Sequence, residues 1–208
     1  MIIKVKNLTK KFDEKVVLND VNLNIEKGTI TGIIGRNGSG KTVLLKIIAG
    51  LYIPTSGSVE IMQNLKIQND FGFLIDTGFM ENKTGFQNLY NISLIKNIIS
   101  KNDIYKVMNY VGLDPFNKIK YQKYSTGMKQ KLKIAQAIME NPKVIVLDEP
   151  FNGLDKSSVL YFRNELKKMK QKGTTIIITS HYQEDIDDLC DSVYEMDGGT
   201  LSKYEKNW

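Results

Sequence analysis

The sequence predicts an α/β fold with a mostly parallel core sheet, an antiparallel β portion and an inserted helical subdomain. Three observations carry this expectation. From Met128 onward, apolar strands alternate with amphipathic helices, the pattern of a parallel sheet joined by crossover helices. The first 30 residues read as strands joined by a turn. Between them, residues 85–124 have helical periodicity, as an inserted subdomain would. With 208 residues, 41% hydrophobic and 25% charged, the chain can bury a substantial core. We expect a single domain over residues 1–208 with the helical subdomain at about 85–122.

Taken in order, Val21, Leu23 and Ile25 alternate with asparagines, the period of a half-buried strand. Lys27-Gly28 makes a turn, and Thr29 to Ile34 is a continuous apolar strand. A glycine-rich loop leads into a helix with Val43, Leu44, Ile47 and Ile48 on one side, closed by Gly50. Val59 and Ile61, then Phe71 to Ile75, suggest two further strands. In the helical stretch, Leu89, Ile92, Leu94, Ile95, Ile98 and Ile99 predict a broad apolar face, and Val107 and Val111 a second. A helix from Met128 to Met139 precedes the strand Val144 to Leu147. A helix from Ser157 to Gln171 precedes the strand Thr174 to Thr179. A short helix begins at Gln183, and Ser192 to Met196 reads as the last strand, before Gly198-Gly199.

Composition excludes several function classes. Cys190 is the only cysteine and His181 the only histidine, so no disulfide framework or Cys/His zinc site is built within the chain. A lone cysteine fits a reducing compartment. Met1 to Lys11 alternates apolar and basic residues and does not read as a signal peptide. The apolar stretch Val43 to Ile53 is broken by Lys46 and Gly50, and falls short of the roughly 20 residues a membrane helix needs. A membrane role therefore comes through a partner. The net charge is +6, but Arg36 and Arg163 are the only arginines among the 29 basic residues. Nucleic-acid surfaces favour arginine forks, so no nucleic-acid partner is expected.

The sharpest motif is Gly35-Arg36-Asn37-Gly38-Ser39-Gly40-Lys41-Thr42, a G-x-x-x-x-G-K-[ST] phosphate loop between a strand and a helix. Its glycines let backbone N–H groups wrap phosphates, and the helix aims its positive end at the same anion. Lys41 should reach the β- and γ-phosphates, and Thr42 should ligate Mg²⁺. A second motif is the strand Val144 to Leu147, ending in Asp148 and Glu149 at the carboxyl edge of the sheet. Asp148 should hold the Mg²⁺ shell and Glu149 should deprotonate an attacking water. The third motif, Tyr124-Ser125-Thr126-Gly127-Met128-Lys129-Gln130, opens the helix that leads to the acidic strand.

With that spacing the sequence resembles the ATP-binding cassette ATPases, the nucleotide-binding subunits of ABC transporters. The third motif is similar to their Leu-Ser-Gly-Gly-Gln signature, and the resemblance covers nearly the whole chain. It implies that Phe12 stacks on adenine and that Ser125 and Gly127 contact ATP held by a second copy. It also implies that Asp155, in Phe151-Asn152-Gly153-Leu154-Asp155, lies at the dimer seam and that His181 touches the γ-phosphate as a switch. Two departures stand out. Asp76 occupies the place of the family's usual Gln, which implies contact with ATP and Mg²⁺. Thr126 adds a branched side chain where glycine is common. The segment Leu74-Ile75-Asp76-Thr77-Gly78-Phe79 resembles the bacitracin-resistance ATPases, which implies export of drugs or peptides. The resemblance further implies a homodimer with two sandwiched ATP molecules, docked near Asp76 and the helical subdomain on a separate transmembrane permease. The chain would then be cytoplasmic, peripheral on the inner face of the cell membrane. It ends soon after the last strands, so no regulatory C-terminal domain is expected. The alternative is a soluble ABC ATPase acting on ribosomes or DNA, but neither a second cassette nor a long coiled coil is present. A small phosphate-loop kinase is the third reading, and it has no need of the signature, Glu149 and His181 in this order.

Overall fold

The computed structural model describes residues 1–76 and 78–204. Thr77 of the Asp76 segment and the last four residues of the expected single domain lie outside the described residues. Strand β1 (Ile3–Phe12) pairs antiparallel with both β2 (Lys15–Ile25) and β4 (Ser56–Ile61), giving the order β2-β1-β4. The alternation in β2 has the expected consequence: Val21, Leu23 and Ile25 are buried while Asn22 and Asn24 face solvent.

The larger sheet has the order β5-β6-β7-β3-β8-β9. It is formed by β3 (Ile30–Ile34), β5 (Phe71–Leu74), β6 (Val144–Asp148), β7 (Thr175–Thr179), β8 (Ser192–Asp197) and β9 (Thr200–Lys203). Every pairing is parallel except the β8–β9 hairpin. The sheet is therefore mixed, with a parallel centre. β9 corrects the expectation that the strand before Gly198-Gly199 is the last. Three of its four residues are exposed, so it carries little hydrophobic signal.

The period of two divides the core strands between two apolar layers. Ile145, Leu147, Ile176 and Ile178 face the helices, with Leu132, Ala135 and Phe162. Val144, Val146 and Ile177 face the other way, toward Leu44, Ile48 and the antiparallel sheet. Helix α1 (Lys41–Ile48) buries Leu44, Leu45, Ile47 and Ile48, while Val43 is only partly buried. A short helix, α2 (Ile67–Asp70), precedes β5.

Between β5 and β6 come α3 (Gly85–Lys96), α4 (Lys101–Tyr110), a 3₁₀ turn (Tyr121–Lys123) and α5 (Thr126–Ile138). Capping boxes start α3 at Thr84 with Gln87, and α4 at Ser100 with Asp103, which fixes both helix entries. The broad apolar face expected here is only half formed. Leu89 is buried, but Leu94, Ile95 and Ile98 are exposed, Ile95 to 82%. The buried side of α3 runs through Gly85, Leu89 and Ser93, which leaves Leu94 and Ile95 on the open side, and left-handed Asn97 ends the helix before Ile98. Helix α6 (Lys156–Gln171) crosses from β6 to β7, and α7 (Gln183–Leu189) from β7 to β8. No helix among the described residues is long and apolar enough to cross a membrane.

Candidate functional site

The phosphate-loop sequence folds between β3 and α1. Gly35 (φ +147°) and Gly40 (φ +114°) occupy backbone conformations that side chains disfavour. A Cβ at Gly35 would lie 2.2 Å from the Met196 carbonyl oxygen, and one at Gly40 would lie 2.8 Å from Leu18 Cδ2. The loop is thus pressed against the β8–β9 side and the first residues of β2. Lys41 is buried beneath it and its Nζ donates to the Gly35 oxygen at 2.7 Å and the Arg36 oxygen at 3.1 Å. Arg36, Asn37 and Gly38 are exposed at the loop tip, while Ser39 and Gly40 are buried.

The acids of β6 arrive at the same place because parallel neighbours deliver their carboxyl ends to one edge. Thr42 Oγ1 donates to Asp148 Oδ2 at 2.6 Å, and Thr179 Oγ1 donates to Asp148 Oδ1 at 2.6 Å. Thr179 also accepts from the Glu149 backbone N–H at 2.9 Å. Glu149 follows with φ +47°, a turn out of the strand that frees its side chain from the sheet. Its Oε2 lies 2.8 Å from His181 Nδ1, a contact in which a carboxylate accepts from the Nδ1-protonated tautomer. Its Oε1 is buried without a hydrogen-bond partner, 3.9 Å from Lys41 Nζ.

Ser125 caps α5, its hydroxyl accepting from the Met128 N–H at 3.2 Å, so the helix starts at Thr126 rather than at Met128. Thr126 packs against Gly153, where a Cβ would lie 2.6 Å from its methyl group. Asp155 caps α6 and accepts from the Ser158 N–H at 3.2 Å and the Ser158 hydroxyl at 2.6 Å. The hydroxyls of Ser157 and Ser158 hold its carboxyl well below the usual carboxylate range. Neither Ser125, Gly127 nor Asp155 lines the opening at the phosphate loop, about 170 Å³ bounded by Asn37, Gly38, Gly40, Lys41, Asp148 and Glu149.

Phe12 stands at the end of β1, 39% exposed, with its ring set edge-on to Tyr52 at 5.6 Å. Asp76 follows β5 in an exposed turn and forms an ion pair with Lys46 of α1. The Asp76 carboxylate raises the Lys46 pKa. Three contributors were not picked out by sequence reasoning. Thr179 bridges the two acids as described. Gln130 Nε2, buried, donates to the carbonyls of Glu149 at 3.1 Å and Pro150 at 2.7 Å, tying α5 to the end of β6. Lys46 ties Asp76 to the phosphate-loop helix. Only Gln130 left a trace, standing in the third motif one turn after its cap.

The chemistry of the donors suits a polyphosphate. Besides Glu149 Oε1, Ser39 Oγ in the phosphate loop is also buried and unpartnered, and orphaned polar atoms of this kind call for a polar ligand. Thr42 and Asp148 offer hard oxygen atoms for Mg²⁺. Among the described residues no group of three or more His, Cys, Asp or Glu is placed to hold a metal. Mg²⁺ is commonly held by one or two carboxylates plus substrate phosphates and water.

A loop folded this way, backed by an acid that faces a histidine, has the chemistry to meet the terminal phosphates of a nucleotide, as the phosphate-loop ATPases do. The family model described as ABC transporter matches residues 18–152, and the chain belongs to that family as an ATP-binding ABC ATPase. It is 44% identical over 211 residues to the uncharacterized ABC transporter ATP-binding protein YybJ of Bacillus subtilis (strain 168), covering 99% of this chain and 97% of that one. It is 38% identical to the bacitracin transport ATP-binding protein BcrA of Enterococcus faecalis, covering 96% of this chain and 68% of that one. Among solved structures it resembles a dimeric post-hydrolysis state of the ATP-binding cassette MJ0796 bound to ADP and Pi. There the TM-score is 0.86 at 26% identity, covering 99% of this chain and 100% of that one.

Proposed function

We propose that this chain, over residues 1–208, hydrolyses ATP in a homodimer that drives a permease exporting peptide-like drugs. The observation that carries the hydrolytic part is the contact of Glu149 Oε2 with His181 Nδ1 beside the buried Lys41. Phe12 and residues Gly35, Arg36, Asn37, Gly38, Ser39, Gly40, Lys41 and Thr42 bind ATP. Lys41 leaves the Gly35 and Arg36 carbonyls to meet the β- and γ-phosphates. Glu149 orients a water and takes its proton, and His181 steadies the γ-phosphate. Thr42 and Asp148 would hold Mg²⁺, which would supply charge neutralisation on the phosphate oxygens. Asp76, now paired with Lys46, would be a further oxygen donor for the ion. Ser125, Gly127 and Asp155 complete the site of the second copy, in keeping with their place outside the lining of this one. Phosphoryl transfer asks for positioning and charge stabilisation, and this arrangement supplies both.

The permease docks on the groove beside α3, where Ile95 and Ile98 line an opening of about 860 Å³ with Ile67, Phe73 and Gln136. The exposed apolar side chains and the buried, unpartnered Oε1 of Gln136 support this reading. The chain then lies on the inner face of the cell membrane through that partner. Export of peptide-like drugs rests on the likeness to BcrA and on the Asp76 segment. The test has two arms. Ile95→Asp should abolish co-purification with the permease while leaving the ATPase of the isolated chain intact. Loss of the chain should lower the minimal inhibitory concentration of bacitracin-class peptides for its host. Full co-purification of Ile95→Asp removes the docking site. Unchanged resistance across a panel of such peptides removes the cargo.

A further inference from the structure

The turn that carries His181 is anchored by a buried ion pair outside the reacting groups. Arg163 of α6 has only 11% of its side chain exposed. Its Nε donates at 2.9 Å to Asp185 Oδ1 in α7, and a terminal amino group donates to the same oxygen. Asp185 is 2% exposed. Its second oxygen accepts the Ser180 hydroxyl at 2.6 Å, and the Ser180 oxygen in turn accepts the Tyr182 backbone N–H at 3.0 Å. Both chain neighbours of His181 are thus tied to one carboxylate.

Burying two charges is costly, and a surface pair would link α6 to α7 with less desolvation. Lys167 does so with Asp188 at 2.6 Å, on the same two helices. The buried pair therefore adds something other than a helix clamp. It also uses one of only two arginines in a chain whose other basic residues are lysines. A guanidinium fixes direction through its planar fork, where an ammonium mainly fixes charge. What the direction serves is visible one residue away. The imidazole of His181 is more than one-third exposed and lies 4.0 Å from the ring of Tyr182, itself exposed, yet it meets Glu149 Oε2 at 2.8 Å.

We propose that Arg163 and Asp185 are positioning residues for His181: through Ser180 and Tyr182 they hold the turn so that the imidazole stays on Glu149 instead of sampling solvent. The proposal rests on the reading of His181 as the group that steadies the terminal phosphate. It makes the crossover helix α6, capped by Asp155, the mount for the histidine.

The sole histidine makes the test direct, because its ring signals need no assignment. In a long-range ¹H–¹⁵N spectrum of the ¹⁵N-labelled chain, the wild-type ring should show mostly the Nδ1-protonated tautomer. Arg163→Lys keeps the charge and loses the fork, and should move both ring nitrogens to the averaged shifts of a free imidazole. Asp185→Asn removes the anion that holds Arg163 and should do the same; it decides the matter if Arg163→Lys fails to fold. Ring signals unchanged from wild type in the folded variant overturn the proposal. In turnover, Arg163→Lys should lower kcat on the order of 10-fold, as misplacement of a positioned group does, with KM for ATP nearly constant. Placed on His181→Ala, it should lower kcat no further. An equal loss in both backgrounds would mean a general structural role and would also overturn it. His181→Ala turning over like wild type would sink the catalytic reading of His181 alone, leaving the ring spectrum to judge the positioning.

Discussion

Replacing Glu149 with Gln separates chemistry from binding at this site. The side chains have the same shape. The Gln carbonyl can keep accepting from His181 Nδ1, now 2.8 Å from Oε2. Its amide nitrogen would stand where the buried Oε1 has no partner. The proton acceptor is what disappears. General-base assistance contributes about 10²- to 10⁴-fold, and at about 1.36 kcal/mol per factor of ten this is about 2.7–5.4 kcal/mol of barrier. Binding moves the other way. The substitution removes a carboxylate 3.9 Å from Lys41 Nζ, so a polyphosphate arriving at that lysine meets less like-charge repulsion. We expect ATP affinity, from a fluorescent analogue, to hold or rise while phosphate release falls by about 10²-fold or more. ATP should then trap a dimer visible by size-exclusion chromatography. Turnover close to wild type would refute the role of Glu149. Loss of binding along with turnover would show that the carboxylate holds the phosphate loop together, and would refute the separation just argued.

Three further expectations can be checked. Thr179→Val leaves the Glu149 N–H and Asp148 Oδ1 without their partner; it should cost about 1–3 kcal/mol in denaturant unfolding and also slow turnover. Ser125→Arg should spare ATP binding but block dimer closure, and mixing it with Lys41→Ala should restore part of the ATPase activity. Full activity of Ser125→Arg alone would exclude a shared site. The Ser100 hydroxyl and N–H hold the Asp103 carboxyl down to about 2. Its folded pKa lies below the unfolded one, so the stability it adds is complete above the ordinary carboxylate pKa of about 3.9 and is lost as pH falls toward the folded value. Ser100→Ala should raise that midpoint in a carboxyl NMR titration.

The phosphate loop and the acidic strand end were legible because each is local: a few consecutive residues between a strand and a helix. The parallel sheet followed from alternating strands and helices. Contacts between distant elements were not legible. Thr179 reaches Asp148 only because β6 and β7 pair in the register that sets these two residues side by side. No feature of residues 174–179 announces that register. Lys46 and Asp76 meet across two elements in the same way. The helical stretch failed for another reason. A run such as Leu94, Ile95 and Ile98 gives apolar content, not which side is covered: Leu94 and Ile95 lie off the side that buries Leu89 and Ser93, and left-handed Asn97 ends the helix before Ile98. β9 failed because an edge strand with one half-buried side chain has little apolar pattern to read.

The strand order bears on how the protein is made. β3, which presents the phosphate loop, hydrogen-bonds on either side to β7 and β8, and these lie more than 140 residues later in the chain. The loop is backed by the Met196 carbonyl, and Asn19 donates to the Gly199 oxygen at 2.8 Å. A nascent chain thus emerges with its phosphate loop near the front, before the strands that flank β3 and the hairpin that backs the loop. Long-range parallel pairing of this kind is slow to form. Held by the loop as proposed, ATP would stabilise the state that binds it and so favour chains whose final hairpin has closed behind the loop over unfinished ones.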